Sequence, residues 1–288
     1  MFSALVLGAL SVPSVASAGD LVRGVRGKLS AGDLASGEAA VERYRAETGV
    51  DKEYLEAVGW LARGAEMLGR REKAAAWVAE LRREIPAEKD DLTIALGAAI
   101  EVEGRLRVAS EGRGSAIRFL EKELAAAKDP AFRSRISKNL NLLGLEGQKA
   151  PEIGAQETLG RKTRLSDLAG KPVLLFFWAN WCGDCKAESP KLARLNARYG
   201  PKGLAMLAPT RFYGEVDGKA VDAATEKDAV AKVWAETYPG LPGVPVPIDT
   251  ETMVRYGASA TPTYALVDRK GVVRLYAPTR LSEAELSR

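Results

Sequence analysis

The residues of this chain whose type and spacing could do chemistry are its only two cysteines. Cys182 and Cys185 lie in the sequence WCGDC, after the apolar run Val173–Trp178 and before a stretch with helical spacing, Lys186–Tyr199. They are predicted to lie where a buried strand becomes a helix, and unpaired N–H groups at a helix start favour a thiolate. Two thiols at this spacing can close a disulfide and exchange it with another one. The pair therefore predicts dithiol redox chemistry.

A cysteine pair can also be half of a zinc site or a structural disulfide. The chain has no histidine and no third cysteine, so a structural Cys/His zinc site cannot be completed, and no metal is expected. A structural disulfide across so short a loop would gain little chain entropy. Redox chemistry is the interpretation that we favour over both.

Further motifs accompany the cysteine pair along Lys149–Arg288. They are Trp181–Cys185 with Pro190 five residues on, Ala150–Ile153 (APEI), Leu165–Val173 (LSDLAGKPV), Thr261–Thr263 (TPT) and Asp268–Val273 (DRKGVV). Together they resemble the thioredoxin superfamily, most of all the thiol–disulfide oxidoreductases of the TlpA and ResA type within the redoxin group. The resemblance implies an α/β fold: a thioredoxin-like mixed sheet with helices on both faces, here preceded by an all-α domain of helical hairpins.

The resemblance also implies roles for individual residues. Cys182 would be the nucleophile and Cys185 the resolving thiol, so the only cofactor would be their own redox-active disulfide. Pro262 would be cis, which would leave the Thr261 backbone free to pair with a substrate strand. Apart from the resemblance, we expect Trp181 to shield and tune the site; the alternative is an exposed aromatic side chain that only packs.

Two carboxylates near the cysteines carry further expectations. Glu188 matches a glutamate of the TlpA and ResA branch, and we expect it to handle protons; the alternative is a surface pair with Lys186 or Lys191. Gly183 and Asp184 form the loop between the cysteines. Most of that branch has proline where this chain has Asp184. A carboxylate there should oppose a nearby thiolate and so tune its pKa, unless solvent screens it or it caps the helix. Thioredoxin itself has a buried aspartate six residues before its first cysteine, where this chain has Phe176.

The first 18 residues have the pattern of a targeting segment. Ala4–Leu10 is apolar, and Ala16–Ala18 resembles a signal-peptidase site, so residues 1–18 are predicted to be a signal peptide. No Lys or Arg follows Met1, and a retained membrane anchor is the alternative, although the segment is short for a membrane span. The protein is thus expected to be exported, to the periplasm or another extracytoplasmic place.

Residues 19–147 are predicted to be helical and residues 148–288 to form the redox domain. Helix caps are expected at Asp51, at Ser115, at Asp129 before Pro130, and at Thr225. One 34-residue unit, Leu55–Glu88, resembles a tetratricopeptide repeat. A plain helical bundle is the alternative, and a groove for a partner protein follows only from the repeat.

Composition narrows the function. The chain has 42 Lys and Arg against 38 Asp and Glu, a net charge of +4 that is scattered along helices, which does not indicate nucleic-acid binding. We expect an exported thiol–disulfide oxidoreductase that reduces or exchanges disulfides in partner proteins and takes electrons from an unidentified thiol donor. A thiol peroxidase is the first alternative, although Ala179 stands where such an enzyme would need Thr or Ser. A helical adaptor with a vestigial redox domain is the second.

Overall fold

The computed structural model describes residues 19–155 and 157–287, except for the side chain of Asp90, so the predicted signal segment lies outside it. Seven helices come first: α1 (Asp20–Ser30), α2 (Leu34–Thr48), α3 (Lys52–Met67), α4 (Arg71–Glu84), α5 (Thr93–Glu111), α6 (Arg113–Ala126) and α7 (Pro130–Gly144). None of the described helices is both long enough and apolar enough to cross a membrane. The chain divides into two compact units after Ala99, inside α5.

In the first unit, α3 packs against α1, α2 and α4. Its buried side chains include Val58, Leu61 and Ala65, which repeat at helical spacing. The predicted repeat Leu55–Glu88 falls mostly on α3 and α4, which contact each other and are joined by a short turn. Its tetratricopeptide-like character stays a prediction.

Two of the four predicted helix caps are confirmed. The Asp51 carboxylate accepts the backbone N–H of Tyr54 at 2.8 Å, and Asp129 accepts that of Phe132 at 2.7 Å, with Pro130 in the first turn of α7. Each bond satisfies one of the donors that a helix start leaves unpaired.

The other two caps are wrong, because the helices begin earlier than predicted. Gly112, with φ 87°, ends α5 and lets α6 begin at Arg113; the Ser115 hydroxyl then bonds to Glu111. Asp222 caps the later helix by accepting the N–H of Thr225 at 2.8 Å. In both places a residue upstream already supplies the turn or the acceptor that starts the helix.

The second unit contains a mixed sheet, as the resemblance implies. Its strands are β1 (Glu157–Leu159), β2 (Val173–Phe177), β3 (Ala205–Leu207), β4 (Glu215–Val216), β5 (Lys219–Ala220), β6 (Val246–Ile248), β7 (Thr263–Val267) and β8 (Val273–Ala277). The order of the central sheet is β3-β2-β7-β8, with β2 parallel to β3 and antiparallel to β7. β1 pairs with β6, and β4 with β5, in two small antiparallel ladders.

Helices cover both faces of the central sheet. They are α8 (Gly183–Ala187), α9 (Ser189–Tyr199), α10 (Ala223–Thr237), α11 (Thr250–Arg255) and α12 (Glu283–Leu286). Alternate residues of β2 enter two different cores: Phe176 packs in one with Leu192 of α9 and Val230 of α10, and Phe177 in the other with Met253 of α11. Every residue of β2 is therefore buried, which explains its unbroken apolar sequence.

Helix α7 belongs to the second unit. Ser134 donates a hydrogen bond to the carbonyl of Met253 at 3.3 Å, and the Asn141 amide donates to that of Arg255 at 2.9 Å. Gly257 has φ +60°, and a Cβ there would lie 2.3 Å from the backbone nitrogen of Lys138. The compact units divide after residue 99, and α7 packs on α11 through the face that bears Ser134, Lys138 and Asn141. The domain boundary at residue 147 stays a prediction.

Candidate active site

The dithiol lies where β2 gives way to α8. Cys182 is the N-cap residue of α8, and a disulfide joins it to Cys185. The Cys182 sulfur accepts the backbone N–H of Cys185 at 3.1 Å, a contact that would favour a thiolate in the reduced protein. Cys182 retains 5% of its surface and Cys185 none, so Cys182 is the sulfur that an incoming disulfide can reach.

The loop that contains Pro262 folds back onto the dithiol. The Thr261–Pro262 peptide bond is cis, as the resemblance implies. The carbonyl oxygen of Thr261 lies 3.4 Å from the Cys182 sulfur, although the two residues are 79 positions apart. Substrate binding by Thr261 and Pro262 stays a prediction that this proximity supports.

Trp181 stands beside the dithiol and is 57% exposed. Its ring meets the edge of Tyr213 at a centroid distance of 5.3 Å. The other tryptophan of the motif region, Trp178, is fully buried and donates its indole N–H to the carbonyl of Ala208 at 3.1 Å. Trp181 is thus the aromatic side chain that an incoming partner can contact.

Glu188 is buried in a cluster of charges. Tyr264 donates its hydroxyl to the carboxylate at 2.6 Å, Arg280 donates its Nε at 3.1 Å, and Lys191 forms an ion pair. Of the two lysines that the sequence offered, Lys191 is the one that makes this pair. Burial opposes the charge, but hydrogen bonds from Lys191 and Tyr264 outweigh it, and they hold the pKa of Glu188 below its ordinary value. At neutral pH the contacts therefore keep this carboxylate ionised.

Arg280 links Glu188 to the loop between the cysteines. Its Nη1 lies 3.4 Å from the carboxylate of Asp184, and both side chains of this pair are more than half exposed. A cation thus accompanies the carboxylate that we expected to oppose the thiolate. Gly183 is exposed, and a Cβ there would meet no atom within 4 Å, so its tuning role stays a prediction.

Phe176 occupies the place of the buried aspartate of thioredoxin. Its ring packs against Tyr264 at 5.5 Å and against Tyr238 at 5.8 Å. A buried acidic group is instead supplied by Glu188, three residues after Cys185, which lies between α8 and α9 and is held by Tyr264.

The sequence did not indicate several residues of this region, which are Arg211, Tyr213, Tyr264, Arg280 and the α7 residues Ser134 and Arg135. It also did not indicate that Lys191 donates a hydrogen bond to the Leu281 carbonyl. One signal was present: Arg211 and Tyr213 follow β3, which is parallel to β2. The carboxyl ends of parallel strands meet at one edge, where binding residues gather. Among the described residues, no group of three or more His, Cys, Asp or Glu side chains could hold a metal ion.

Known proteins with similar sequences indicate the class of protein to which this chain belongs. The sequence profile of the Redoxin family matches residues 145–282. YneN, a thioredoxin-like protein of Bacillus subtilis, is 35% identical over 130 residues, which cover 45% of this chain and 69% of YneN. The thiol–disulfide oxidoreductase ResA of Bacillus anthracis is 34% identical over 129 residues, 44% of this chain and 66% of ResA. The matches thus span about two thirds of the length of these relatives.

Among solved structures, the exposed lipoprotein thioredoxin Etrx1 of Streptococcus pneumoniae is similar, with 26% identity and a TM-score of 0.36 over 46% of this chain and 96% of that one. The mixed sheet and the Cys182–Cys185 pair define a thioredoxin-like redox protein. More narrowly, the chain belongs to the redoxin group of thioredoxin-like thiol–disulfide oxidoreductases, of the TlpA and ResA type.

Proposed function

We propose that this protein is an exported thiol–disulfide oxidoreductase that reduces or exchanges disulfides in client proteins. The observation that carries the proposal is the asymmetry of the dithiol. Cys182 is reachable, accepts an N–H group and lies next to the Thr261 carbonyl, whereas Cys185 is fully buried directly behind it.

The reaction proceeds in two exchanges. The Cys182 thiolate attacks one sulfur of the client disulfide; the client S–S bond breaks, a mixed disulfide forms, and the other client sulfur leaves as a thiolate that takes up a proton. Cys185 loses its proton and attacks the Cys182 sulfur, which forms the Cys182–Cys185 disulfide and releases the second client thiol. Two electrons have then passed to the client, and an external thiol donor returns them to the protein.

Glu188 would assist this sequence through its charge or its proton. The proton-handling role needs a carboxyl group that can be protonated during turnover, whereas the contacts with Lys191 and Tyr264 favour the ionised form. We therefore expect its charge to matter at neutral pH, by holding Arg280 and Lys191 near the dithiol.

Export rests on the sequence of residues 1–18, which lie outside the described residues. A signal-peptide reading predicts a mature N-terminus at Gly19. Cell fractionation followed by N-terminal sequencing of the full-length product checks this, and recovery of the uncut chain from the cytoplasm would contradict it.

The activity is tested with insulin. The reduced protein should accelerate insulin reduction by dithiothreitol, and the Cys185→Ser variant should stall as a mixed disulfide that mass spectrometry identifies. Consumption of hydrogen peroxide without insulin reduction would favour the peroxidase alternative. Failure to do either, with a folded protein, would leave only the helical adaptor.

A further inference from the structure

A cavity of about 220 Å³ opens beside the dithiol. We call it the rim pocket, and its defining residues are Ser134, Arg135, Trp181, Arg211, Tyr213 and Thr261. Trp181 precedes Cys182 in the chain, and the Thr261 carbonyl lies 3.4 Å from the Cys182 sulfur. A molecule bound in this cavity would therefore lie next to the reacting atom.

One wall of the rim pocket is held in place by a buried carboxylate. Glu226 is fully buried and accepts the backbone N–H groups of Tyr213 at 2.7 Å and of Gly214 at 2.8 Å. The guanidinium group of Arg211 lies 4.5 Å from the centre of the Tyr213 ring, whose edge meets Trp181. Arg211 is thus presented on a fixed surface, with little side-chain freedom to lose on binding.

The other wall is α7, which lies outside the thioredoxin-like sheet in the sequence. Ser134 bonds to the Met253 carbonyl, Arg133 pairs with Glu251 at 2.7 Å, and Gly257 allows the backbone of α7 to approach closely. Arg135 on this helix therefore lines the rim pocket as part of the folded redox unit.

Two cationic side chains line the rim pocket. Arg135 and Arg211 line it, and no Asp or Glu is among its lining residues, all of which lie in the described part of the chain. Guanidinium groups bind carboxylates through paired hydrogen bonds, and they do so more strongly where a cavity limits access of water. Trp181, which is 57% exposed, adds an apolar surface for the stem of a bound side chain.

From these contacts we propose that the rim pocket selects client polypeptides that have an acidic residue close in sequence to the cysteine under attack. This inference rests on the proposed reduction of client disulfides. The acidic side chain binds at Arg135 and Arg211 while the client disulfide meets Cys182. Helix α7 thereby becomes part of the substrate site.

The test uses three cyclic peptides that each contain one disulfide and differ only in the residues flanking one cysteine, which are Glu, Gln or Lys. The reduced protein should reduce the Glu peptide with a kcat/KM about tenfold above that of the Lys peptide at low salt, and the ratio should shrink as ionic strength rises. Arg135→Gln and Arg211→Gln should each lower the ratio, and the double variant should bring it close to one. Arg135→Lys and Arg211→Lys, which keep the charge, should retain part of it.

Arg198→Gln is the matched control, because the Arg198 guanidinium lies over the Tyr199 ring at 5.2 Å, away from the rim pocket. It should leave all three rates unchanged. Equal rates for the Glu and Lys peptides in the parent, or a preference that survives in the double glutamine variant, would overturn the inference while leaving the proposed function intact. Reduction of no peptide would overturn both. A stronger arginine-dependent preference for oxidised glutathione than for the Glu peptide would assign the pocket to small anionic disulfides instead of a polypeptide.

Discussion

Two groups of charged residues lie near the dithiol, and they differ in their surroundings. The charge cluster consists of Asp184, Glu188, Lys191 and Arg280, and in it each charged side chain contacts a group of opposite sign. The rim pocket places two arginines at a cavity, and the buried Glu226 carboxylate accepts backbone N–H groups of its Tyr213 wall. Glu188 is 2% exposed, whereas Trp181 at the rim pocket is 57% exposed.

The difference separates internal stabilisation from recognition. Charges that face each other across 3 to 4 Å largely cancel at longer range, so the charge cluster should hold the helices α8 and α9 and influence the dithiol weakly. Like charges gathered at a cavity add together and attract a ligand of opposite sign. Substitutions in the charge cluster and in the rim pocket should therefore have distinguishable effects. The largest effect is expected for the two cysteines, which both groups of residues adjoin.

Cys182→Ser should reduce insulin reduction to the uncatalysed rate, because a hydroxyl cannot replace the thiolate in disulfide exchange. Circular dichroism should show an unchanged fold, since the substitution is nearly isosteric. Cys185→Ser is the informative partner variant: it should still attack once and then accumulate as a mixed disulfide. Sustained turnover by Cys182→Ser would contradict the assignment of the nucleophile.

Gly257→Ala should destabilise the protein by about 3 kcal/mol, because the residue has positive φ and a Cβ would collide with the backbone of α7. Urea denaturation measures this, and the preference for the Glu peptide should fall together with stability as α7 shifts. Gly114→Ala in α6 is the matched control, because a Cβ there meets only the end of the Arg118 side chain at 3.5 Å. It should be neutral or slightly stabilising. Equal stability of the two variants would show that α7 does not approach α11 closely.

Glu188→Gln should lower the free energy of unfolding by about 2 kcal/mol at pH 7, because hydrogen bonds to a charged group typically contribute about that much. The folded protein holds the pKa of Glu188 below 4.5, so this stabilisation is present above pH 4.5 and is lost as the pH falls through the lowered value. The difference between parent and variant should consequently shrink in acid. Denaturation curves at several pH values check this.

Glu157→Gln is the control for that series, because its partner Lys227 and Glu157 itself are both more than a third exposed. It should change stability by less than about 1 kcal/mol. A Glu188→Gln deficit that grew in acid would contradict an ionised Glu188. The proton-handling role is checked separately: it predicts that Glu188→Gln removes a titration step from the pH–rate profile of mixed-disulfide release, whereas a purely electrostatic role changes the rate without removing a step.

The smallest effect is expected for Asp184 and Arg280. Asp184→Asn removes a negative charge near the thiolate, so it should lower the pKa of the Cys182 thiol and raise the reduction potential by no more than about 20 mV, and Asp184→Pro should raise it at least as much. Arg280→Gln removes a positive charge and should lower the potential. The double variant Asp184→Asn with Arg280→Gln should return close to the parent. Equilibration with glutathione buffers measures all four variants, and shifts of Asp184→Asn and Arg280→Gln in the same direction would show that the two charges do not cancel.

The local parts of this site could be predicted from the sequence, and the long-range parts could not. The strand, loop and helix around Cys182 were predicted from an apolar run that is followed by residues at helical spacing. The cis conformation of Pro262 was predicted from the family motif. Arg280 reaches Glu188 across 92 positions, and no periodic pattern links them. The caps at Ser115 and Thr225 were wrong because the N-cap residue lies three positions upstream in each case, at Gly112 and Asp222.

The position of α7 was missed for a related reason. Its helical pattern and its Asp129 cap were correctly predicted, but the sequence does not say which element covers the face that bears Ser134, Lys138 and Asn141. That face packs on α11, about 115 residues later in the chain. The rim pocket exists only because of this contact, and its arginines could not be brought together from spacing alone.

The central claim, that Cys182 is the attacking thiolate and Cys185 stays behind it, is tested most directly by alkylation of the reduced protein. Limiting iodoacetamide is added at about pH 6, where only a thiol with a lowered pKa reacts quickly, and peptide mass spectrometry quantifies each cysteine. In denaturant the two cysteines should react alike. In the folded protein Cys182 should be labelled first, because it is the more exposed sulfur and accepts the Cys185 N–H group. Preferential labelling of Cys185 in the folded protein would contradict the account.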